Sequence, residues 1–192
     1  MKPYILFVEG AIGCGKSSVT KQLREQMKYV TLLDLTGCPD KTEYGKNKTY
    51  KYHSKILQMM ADTCCLNMNY VIGRSYMSES VYTDRLNLKP YSFKCEAHSL
   101  RCDIEYLTNF YDIYFVQLTA TEKQLTERLK RDKFEYVEHS VSNALMQQEA
   151  YKEEMRLLAK ECENVKVFEI QNDDLQSTVN TIKDLILNGM IG

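Results

Sequence analysis

The sequence predicts a three-layer α/β chain with a mostly parallel, five-stranded sheet and helices on both faces. Two observations favour this class. Short apolar runs alternate with helical periodicity along the 192 residues, and a glycine-rich turn joins the first apolar run to the first helical segment. Alternating strands and helices are accommodated most economically by a parallel sheet that is covered on both sides. The length suits a single domain over residues 1–192.

Five apolar runs are predicted as strands, at residues 4–8, 31–35, 69–72, 113–118 and 165–170. The segments between them carry helical periodicity, as with Val19, Leu23 and Met27 after the glycine-rich turn. Residues 40–48 are polar without apolar periodicity and are predicted as a loop. Thr119 and Glu122 have the spacing of a capping box, which predicts a helix start at that point.

Composition restricts the classes of function. The formal net charge is −1 with charges of both signs mixed, so binding to duplex nucleic acid is not expected. No apolar run approaches the roughly 20 residues of a membrane span, and no signal peptide precedes the first strand, so a cytoplasmic protein is expected. Seven cysteines without a C-x-x-C pair indicate reduced thiols. Cys95, His98 and Cys102 lack an evident fourth ligand, which disfavours a zinc site.

The glycine-rich turn fits the pattern G-x-x-x-x-G-K-[ST], with the residues Gly10, Ala11, Ile12, Gly13, Cys14, Gly15, Lys16 and Ser17. A strand before it and a helix after it form the arrangement in which backbone N–H groups hold a polyphosphate. We expect Lys16 on the β- and γ-phosphates and the Ser17 hydroxyl on Mg²⁺, with Ser18 completing the binding segment. The motif therefore predicts binding of a nucleoside triphosphate, ATP, with Mg²⁺.

Four segments, in their order along the chain, carry a family resemblance. They are residues 8–17 with the phosphate loop, residues 73–82 after the third strand, residues 127–133 with two arginines and two lysines, and residues 171–174 after the last strand. Together they resemble the small P-loop kinases that phosphorylate nucleosides and nucleoside monophosphates, the thymidylate kinase and deoxynucleoside kinase group with its phage-type members. The resemblance implies the P-loop kinase fold and a lid segment near 127–137. Relatives are often dimers, so the resemblance also makes a homodimer one expected arrangement.

The resemblance also implies roles for particular side chains. Arg74, at the carboxyl end of a strand, would bridge the γ-phosphate of the donor and the acceptor. Arg128 and Arg131 would close over the phosphates from the lid and exclude water. Asn172 lies where the loop of the family approaches the adenine. Phosphoryl transfer requires alignment and neutralisation of charge, and these residue types supply both.

One position departs from the family pattern. Relatives usually carry an acidic residue immediately before the arginine of the second motif, where this chain has Gly73. Mg²⁺ would then be held by Ser17, phosphates and water, with Glu9 or Asp34 in the outer coordination shell. A protein that binds nucleotide without turning it over, a non-catalytic regulator, is therefore kept as an alternative.

Two acceptor classes follow from the residues at the second and third strands. A nucleoside would need a general base for its 5′-hydroxyl, and Asp34 is the candidate. A monophosphate would instead need a further cation for its dianion, and the chain offers only Lys41 nearby, with Arg85 and Arg101 further along, which favours a nucleoside. The segment 75–82 nevertheless resembles the thymidylate kinase side, and on that resemblance a deoxynucleoside monophosphate is the preferred small-molecule acceptor. A kinase for a hydroxyl within DNA is disfavoured by the near-neutral charge.

Overall fold

The computed structural model describes residues 2–35, 40–131 and 140–189. Its strands form one parallel sheet in the order β2-β3-β1-β4-β5. The strands are β1 (Tyr4–Gly10), β2 (Val30–Asp34), β3 (Asn69–Gly73), β4 (Asp112–Thr119) and β5 (Val165–Gln171). The helices are α1 (Lys16–Gln26), α2 (Glu43–Asp62), α3 (Tyr76–Ser80), α4 (Lys94–Leu107), α5 (Glu122–Arg131), α6 (Val141–Glu161) and α7 (Leu175–Gly189). The predicted parallel, five-stranded sheet is confirmed.

The core consists of two layers of apolar side chains, one on each face of the sheet. Along β1, Ile5 and Phe7 belong to the layer covered by α2, α3, α4 and α6, while Leu6 and Val8 belong to the layer covered by α1, α5 and α7. Successive side chains of a strand point to opposite faces, so a strand buried on both faces has the continuous apolar sequence seen here. The prediction of helices on both faces is confirmed.

The prediction of a loop over residues 40–48 is wrong, because α2 already begins at Glu43. Thr42 caps the helix, its Oγ1 accepting a hydrogen bond from the Gly45 amide at 3.4 Å, and Asp40 Oδ1 accepts from the Thr42 amide at 2.9 Å. Gly45 and Thr49 supply the buried side of the first turns. Apolar periodicity fails to detect this helix start because small and polar residues are buried there.

The predicted capping box is wrong by two residues. Thr119 is still part of β4 and is paired with Gln171 of β5. The cap is formed by Thr121, whose Oγ1 accepts from the Gln124 amide at 3.3 Å while Gln124 Oε1 accepts from the Thr121 amide at 2.9 Å. Thr121 and Gln124 have the same spacing as Thr119 and Glu122. Because β4 continues through Thr119, the helix starts later and the second pair forms the capping box.

Neither a metal cluster nor a membrane span is found in the part of the chain that the structure describes. Cys95, His98 and Cys102 lie exposed on α4, and no group of three metal-binding side chains is present among the described residues. Within those same ranges, every helix is too short or too polar to cross a bilayer.

Candidate active site

The glycine-rich turn folds into a loop that depends on its glycines. Gly10 has a φ of 140° and Gly15 a φ of 87°, and residues with a side chain rarely adopt positive φ values of this kind. A Cβ on Gly10 would lie 2.3 Å from the carbonyl oxygen of Leu118, and a Cβ on Gly15 would lie 2.4 Å from Asn172 Nδ2. The loop therefore requires glycine at both positions to pass this close to β4 and to the segment after β5.

The first turn of α1 opens towards this loop. Gly15 stands at the helix start, and no side chain of the described residues caps it, so the first-turn amides are oriented as a site for an anion. Lys16 is only 9% exposed, and its Nζ donates to the carbonyl oxygens of Gly10 at 2.6 Å and Ala11 at 2.8 Å. Ser17 is exposed on the same turn. The residues predicted to bind phosphate and Mg²⁺ thus lie on one loop and one helix turn.

Cys14 points away from the loop opening, into the protein. Its side chain is fully buried, and its Sγ lies 3.3 Å from Oε1 of Gln148 on α6. Burial raises the pKa of this thiol above its ordinary value, although Lys16 acts in the opposite direction. At neutral pH Cys14 is therefore a protonated thiol that fills space beneath the loop.

Arg128 of α5 joins the phosphate loop to the segment after β5. Its Nη1 donates to the Gly13 carbonyl oxygen at 3.2 Å, and its Nη2 donates to the Asn172 carbonyl oxygen at 2.7 Å. Asn172 in turn donates from Nδ2 to the Cys14 carbonyl oxygen at 2.8 Å. Arg131 is exposed at the end of α5, and the part of the predicted 127–137 lid beyond it lies outside the described residues.

Arg74 follows β3 directly and has a strained backbone. Its φ is 69°, a left-handed value that costs energy in a residue other than glycine, and its side chain is exposed. The Arg74 amide donates to the Val8 carbonyl oxygen at 3.2 Å, which extends the pairing of β3 with β1. A strained backbone held by its surroundings is frequent at functional sites, so this geometry adds to the case for Arg74.

Glu9 secures the segment that follows Arg74. Its carboxylate is fully buried and accepts hydrogen bonds from the Ser75 amide and, at 3.4 Å, from Ser78 Oγ. Burial raises the pKa of Glu9, and the neighbouring charges of Lys16 and Arg74 oppose that effect. Both carboxylate oxygens thus contact the β3–α3 segment, which argues against the outer-shell Mg²⁺ role considered for Glu9.

A small cavity lies beside Arg74 at the same edge of the sheet. The lining comes from three places: Leu35 directly after β2, Thr49 and His53 of α2, and the β3–α3 segment with Arg74, Ser75, Ser78 and Glu79. The buried carboxylate of Glu79 receives Lys89 Nζ at 2.7 and 2.9 Å and the hydroxyl of Tyr91. The α2 wall was not predicted from the sequence, although the buried residues Thr49, His53 and Leu57 follow one another at four-residue spacing on this helix.

The remaining predicted residues lie apart from this cavity or outside the described part. Arg85 Nε contacts Glu154 Oε1 at 2.7 Å and Arg101 Nε contacts Glu161 Oε2 at 2.6 Å, so both arginines are paired with α6. Asp34 ends β2 in register with Gly73, and its side chain lies outside the described part. Lys41 is exposed just before α2.

His53 makes a pH-dependent contribution to stability that can be measured. Burial lowers the pKa of its imidazole from 6.5 to about 4, so the unfolded chain binds the proton more readily than the folded one. We expect the free energy of unfolding to fall by up to ~3 kcal/mol as the pH drops through this window. In His53→Gln, the free energy of unfolding measured with urea should not show this fall between pH 6.5 and about 4. The exposed His98→Gln should show it as the wild type does. The same fall in His53→Gln as in the wild type would contradict the assignment to His53.

Similarity to known proteins is found at the level of three-dimensional structure. No protein-family model and no curated protein matches the chain. Among solved structures, the YorR protein from Bacillus subtilis, crystallised with phosphorylated GDP, aligns with a TM-score of 0.69 at 17% identity, over 98% of both chains. Thymidylate kinase from Candida albicans aligns with a TM-score of 0.62 at 13% identity, over 98% of this chain and 93% of that one.

A third solved structure, deoxyadenosine kinase from M. mycoides with bound dATP, aligns with a TM-score of 0.62 at 13% identity, over 98% of this chain and 100% of that one. TM-scores of this size over nearly the whole chain show a shared fold. They do not show a shared function, because one fold can carry many different functional sites. Together with the parallel sheet and the loop before α1, these alignments establish that the chain has the fold of the P-loop nucleotide and nucleoside kinases.

Proposed function

We propose that this protein is a kinase that transfers the γ-phosphoryl group of ATP to a deoxynucleoside monophosphate, giving the diphosphate and ADP. The observation that carries the proposal is the pairing of two features at adjacent strands. The phosphate loop follows β1, Arg74 follows β3, and Val8 and Gly73 are paired in register just before them. Ligands of open α/β sheets bind at the carboxyl ends of such strands. The structural relatives with bound phosphorylated GDP and bound dATP are in keeping with a nucleotide ligand, and they do not distinguish between the two acceptor classes.

The donor side is assigned to the phosphate loop and its neighbours. The first-turn amides of α1 would hold the phosphates and Lys16 would neutralise charge on the β- and γ-groups. Asn172 would lie beside the adenine. We assign Arg128 and Arg131 to the transferring phosphoryl group. The two carbonyl contacts use two of the five N–H groups of the Arg128 guanidinium, so this side chain could hold the loop and still donate to a phosphate oxygen when ATP binds.

The residues present suit a magnesium site built mainly from the nucleotide. Ser17 offers an exposed hydroxyl on the first turn of α1, and hard oxygen ligands with several waters are what Mg²⁺ prefers. When bound, Mg²⁺ would neutralise charge on the β- and γ-phosphates. Gly73 contributes no carboxylate at the position where the related kinases have one.

A carboxylate at position 73 should strengthen the response to magnesium. Gly73 ends β3 without a positive φ, so its backbone accepts a side chain. We expect Gly73→Asp to lower the Mg²⁺ concentration for half-maximal activity by about tenfold, because outer-shell carboxylates orient a metal and its waters. Gly73→Asn, with the same shape and no charge, is the control. A magnesium titration that is the same for Gly73→Asp and the wild type would mean that the metal site is completed elsewhere.

A monophosphate needs cations, and Arg74 is the only arginine among the described residues that line the cavity. The pairing of Arg85 and Arg101 with carboxylates of α6 favours the second candidate, a deoxynucleoside whose 5′-hydroxyl would lose its proton to Asp34. The likeness of residues 75–82 to thymidylate kinases keeps the monophosphate first.

The deciding experiment measures ADP release from ATP and Mg²⁺ with each of four deoxynucleosides and their 5′-monophosphates. Stimulation by monophosphates supports the proposal and names the base, while stimulation by nucleosides transfers it to the second candidate and to Asp34 as base. Release without any acceptor indicates hydrolysis. Binding of ATP without release under any condition supports the non-catalytic regulator and refutes the kinase.

A further inference from the structure

Two consecutive glutamines of α6 contact the phosphate loop from beneath. Gln147 Oε1 accepts a hydrogen bond from the Ile12 amide at 3.1 Å, across 135 residues of sequence. Gln148 Oε1 accepts from the Ala120 amide at 2.6 Å and lies 3.3 Å from the Cys14 sulfur. Gln147 is fully buried and Gln148 is 9% exposed. The loop is therefore supported by side chains of a helix that is remote from it in sequence.

The contact of Gln147 with Ile12 has a defined direction. A backbone amide can only donate, so the carboxamide oxygen must face Ile12, and the Nε2 group is left to donate to Asn143 Oδ1 at 3.4 Å. Asn143 lies one turn earlier on α6 and is also buried, so it sets the orientation of the Gln147 amide group. The Ile12 peptide lies between Gly10 and Gly13, two of the residues with positive φ that shape the loop.

We infer that Gln147 is a positioning residue for the donor nucleotide, which holds the Ile12 peptide so that the following amides face the phosphates. The inference rests on the proposed function, since it assumes that the loop binds a nucleoside triphosphate. Without the Gln147 oxygen, the Ile12 amide would be left unpaired in a partly buried place, which is costly. The loop would then favour other backbone arrangements, and the bound nucleotide would have to order it at the expense of affinity.

The test uses the Mg²⁺ complex of AMP-PNP, a non-hydrolysable ATP analogue, and needs no acceptor. Gln147→Met keeps the length of the side chain but removes the oxygen, and Gln147→Leu is a second variant with the same loss. We expect both to weaken AMP-PNP binding at least about tenfold in titration calorimetry. In the protein without nucleotide, the Ile12 amide should exchange its hydrogen faster by a similar factor, as measured by NMR.

Tyr111→Phe is the matched control. It removes a buried hydrogen bond of similar kind, from the Tyr111 hydroxyl to the Met60 carbonyl oxygen at 2.9 Å, just before the amino end of β4 and away from the loop. AMP-PNP affinity and Ile12 exchange should be unchanged in this variant. An equal loss of affinity in Tyr111→Phe would show a general effect of stability and overturn the inference.

The outcomes separate the inference from the proposed function. Wild-type affinity and wild-type Ile12 exchange in Gln147→Met would overturn the inference and leave the kinase proposal intact. If the wild type itself does not bind AMP-PNP, the proposed function fails and the role of Gln147 fails with it. Loss of folding in both Gln147 variants, with Tyr111→Phe intact, would assign the contact to stability and also overturn the inference.

Discussion

Replacing Lys16 with alanine is expected to lower kcat/KM by at least about 100-fold, equivalent to ~3 kcal/mol of transition-state stabilisation. The ammonium group is held at the loop by its contacts with the carbonyl oxygens of Gly10 and Ala11, on the same loop that would bind the phosphates. A preorganised cation acts on the charge that develops during transfer, and for this reason the loss should fall on kcat as well as on KM. Initial rates of ADP release over a range of ATP concentrations measure both.

Lys21→Ala provides the matched control for this prediction. Lys21 is on the same helix, and its side chain is 73% exposed, so its removal deletes an equal charge at a place where solvent screens it. We expect its kcat/KM to stay close to that of the wild type. A Lys16→Ala enzyme within a few-fold of the wild type would refute the assigned role, and equal losses in both variants would indicate a long-range effect of charge.

Arg74→Gly is expected to lose activity about 100-fold or more through removal of a group that contacts the transferring phosphoryl or the acceptor. The same substitution relieves backbone strain, because a φ of 69° costs glycine nothing and costs other residues on the order of 1 kcal/mol. Activity and stability should therefore separate at this position. Kinetic assays combined with urea unfolding of the same preparations give the two quantities.

Arg74→Ala isolates the contribution of the backbone. Both variants lack the guanidinium, and both remove the positive charge of Arg74 from the surroundings of the buried Glu9 while Lys16 remains, so these effects cancel in the comparison. We expect the glycine variant to be more stable than the alanine variant by about 1 kcal/mol, with equal loss of activity. Equal stability of the two would mean that the left-handed conformation is relaxed in solution. Near wild-type activity in both would remove Arg74 from the proposed site.

Several features of the site follow from short stretches of sequence, and these were predicted well. The run from Tyr4 to Gly10 forms β1, and the helix after the loop begins at Lys16, as the motif required. The glycines could be interpreted from the sequence because the backbone conformations they permit are local properties of the chain. The position of Arg74 at the carboxyl edge of the sheet was predicted from its place after a strand, since the carboxyl ends of parallel strands meet at one edge, and its role stays a prediction.

The wall of the cavity on α2 and the support from α6 were not predicted. Thr49 and His53 belong to a helix whose first turns have no apolar periodicity, and polar burial of this kind becomes visible only when the partner surface is known. Arg85 and Arg101 were considered as phosphate-binding residues, although both form ion pairs with carboxylates of α6. Sequence periodicity predicts which residues share a face of a helix or strand, but it does not predict which charged side chains form ion pairs between elements.

The amino-acid pattern alone is sufficient for the parallel α/β fold, the phosphate loop and the placing of Arg74, because each depends on residues within a few positions of one another. The folded arrangement was needed to bring Gln147 to Ile12 and Asn172 to Cys14, across 135 and 158 residues. Such contacts depend on how helices pack around the sheet, and many sequences with the same local pattern would make different ones. For that reason the glycine-rich motif predicts an anion site, whereas the side chains that hold it in shape are seen only in the packed molecule.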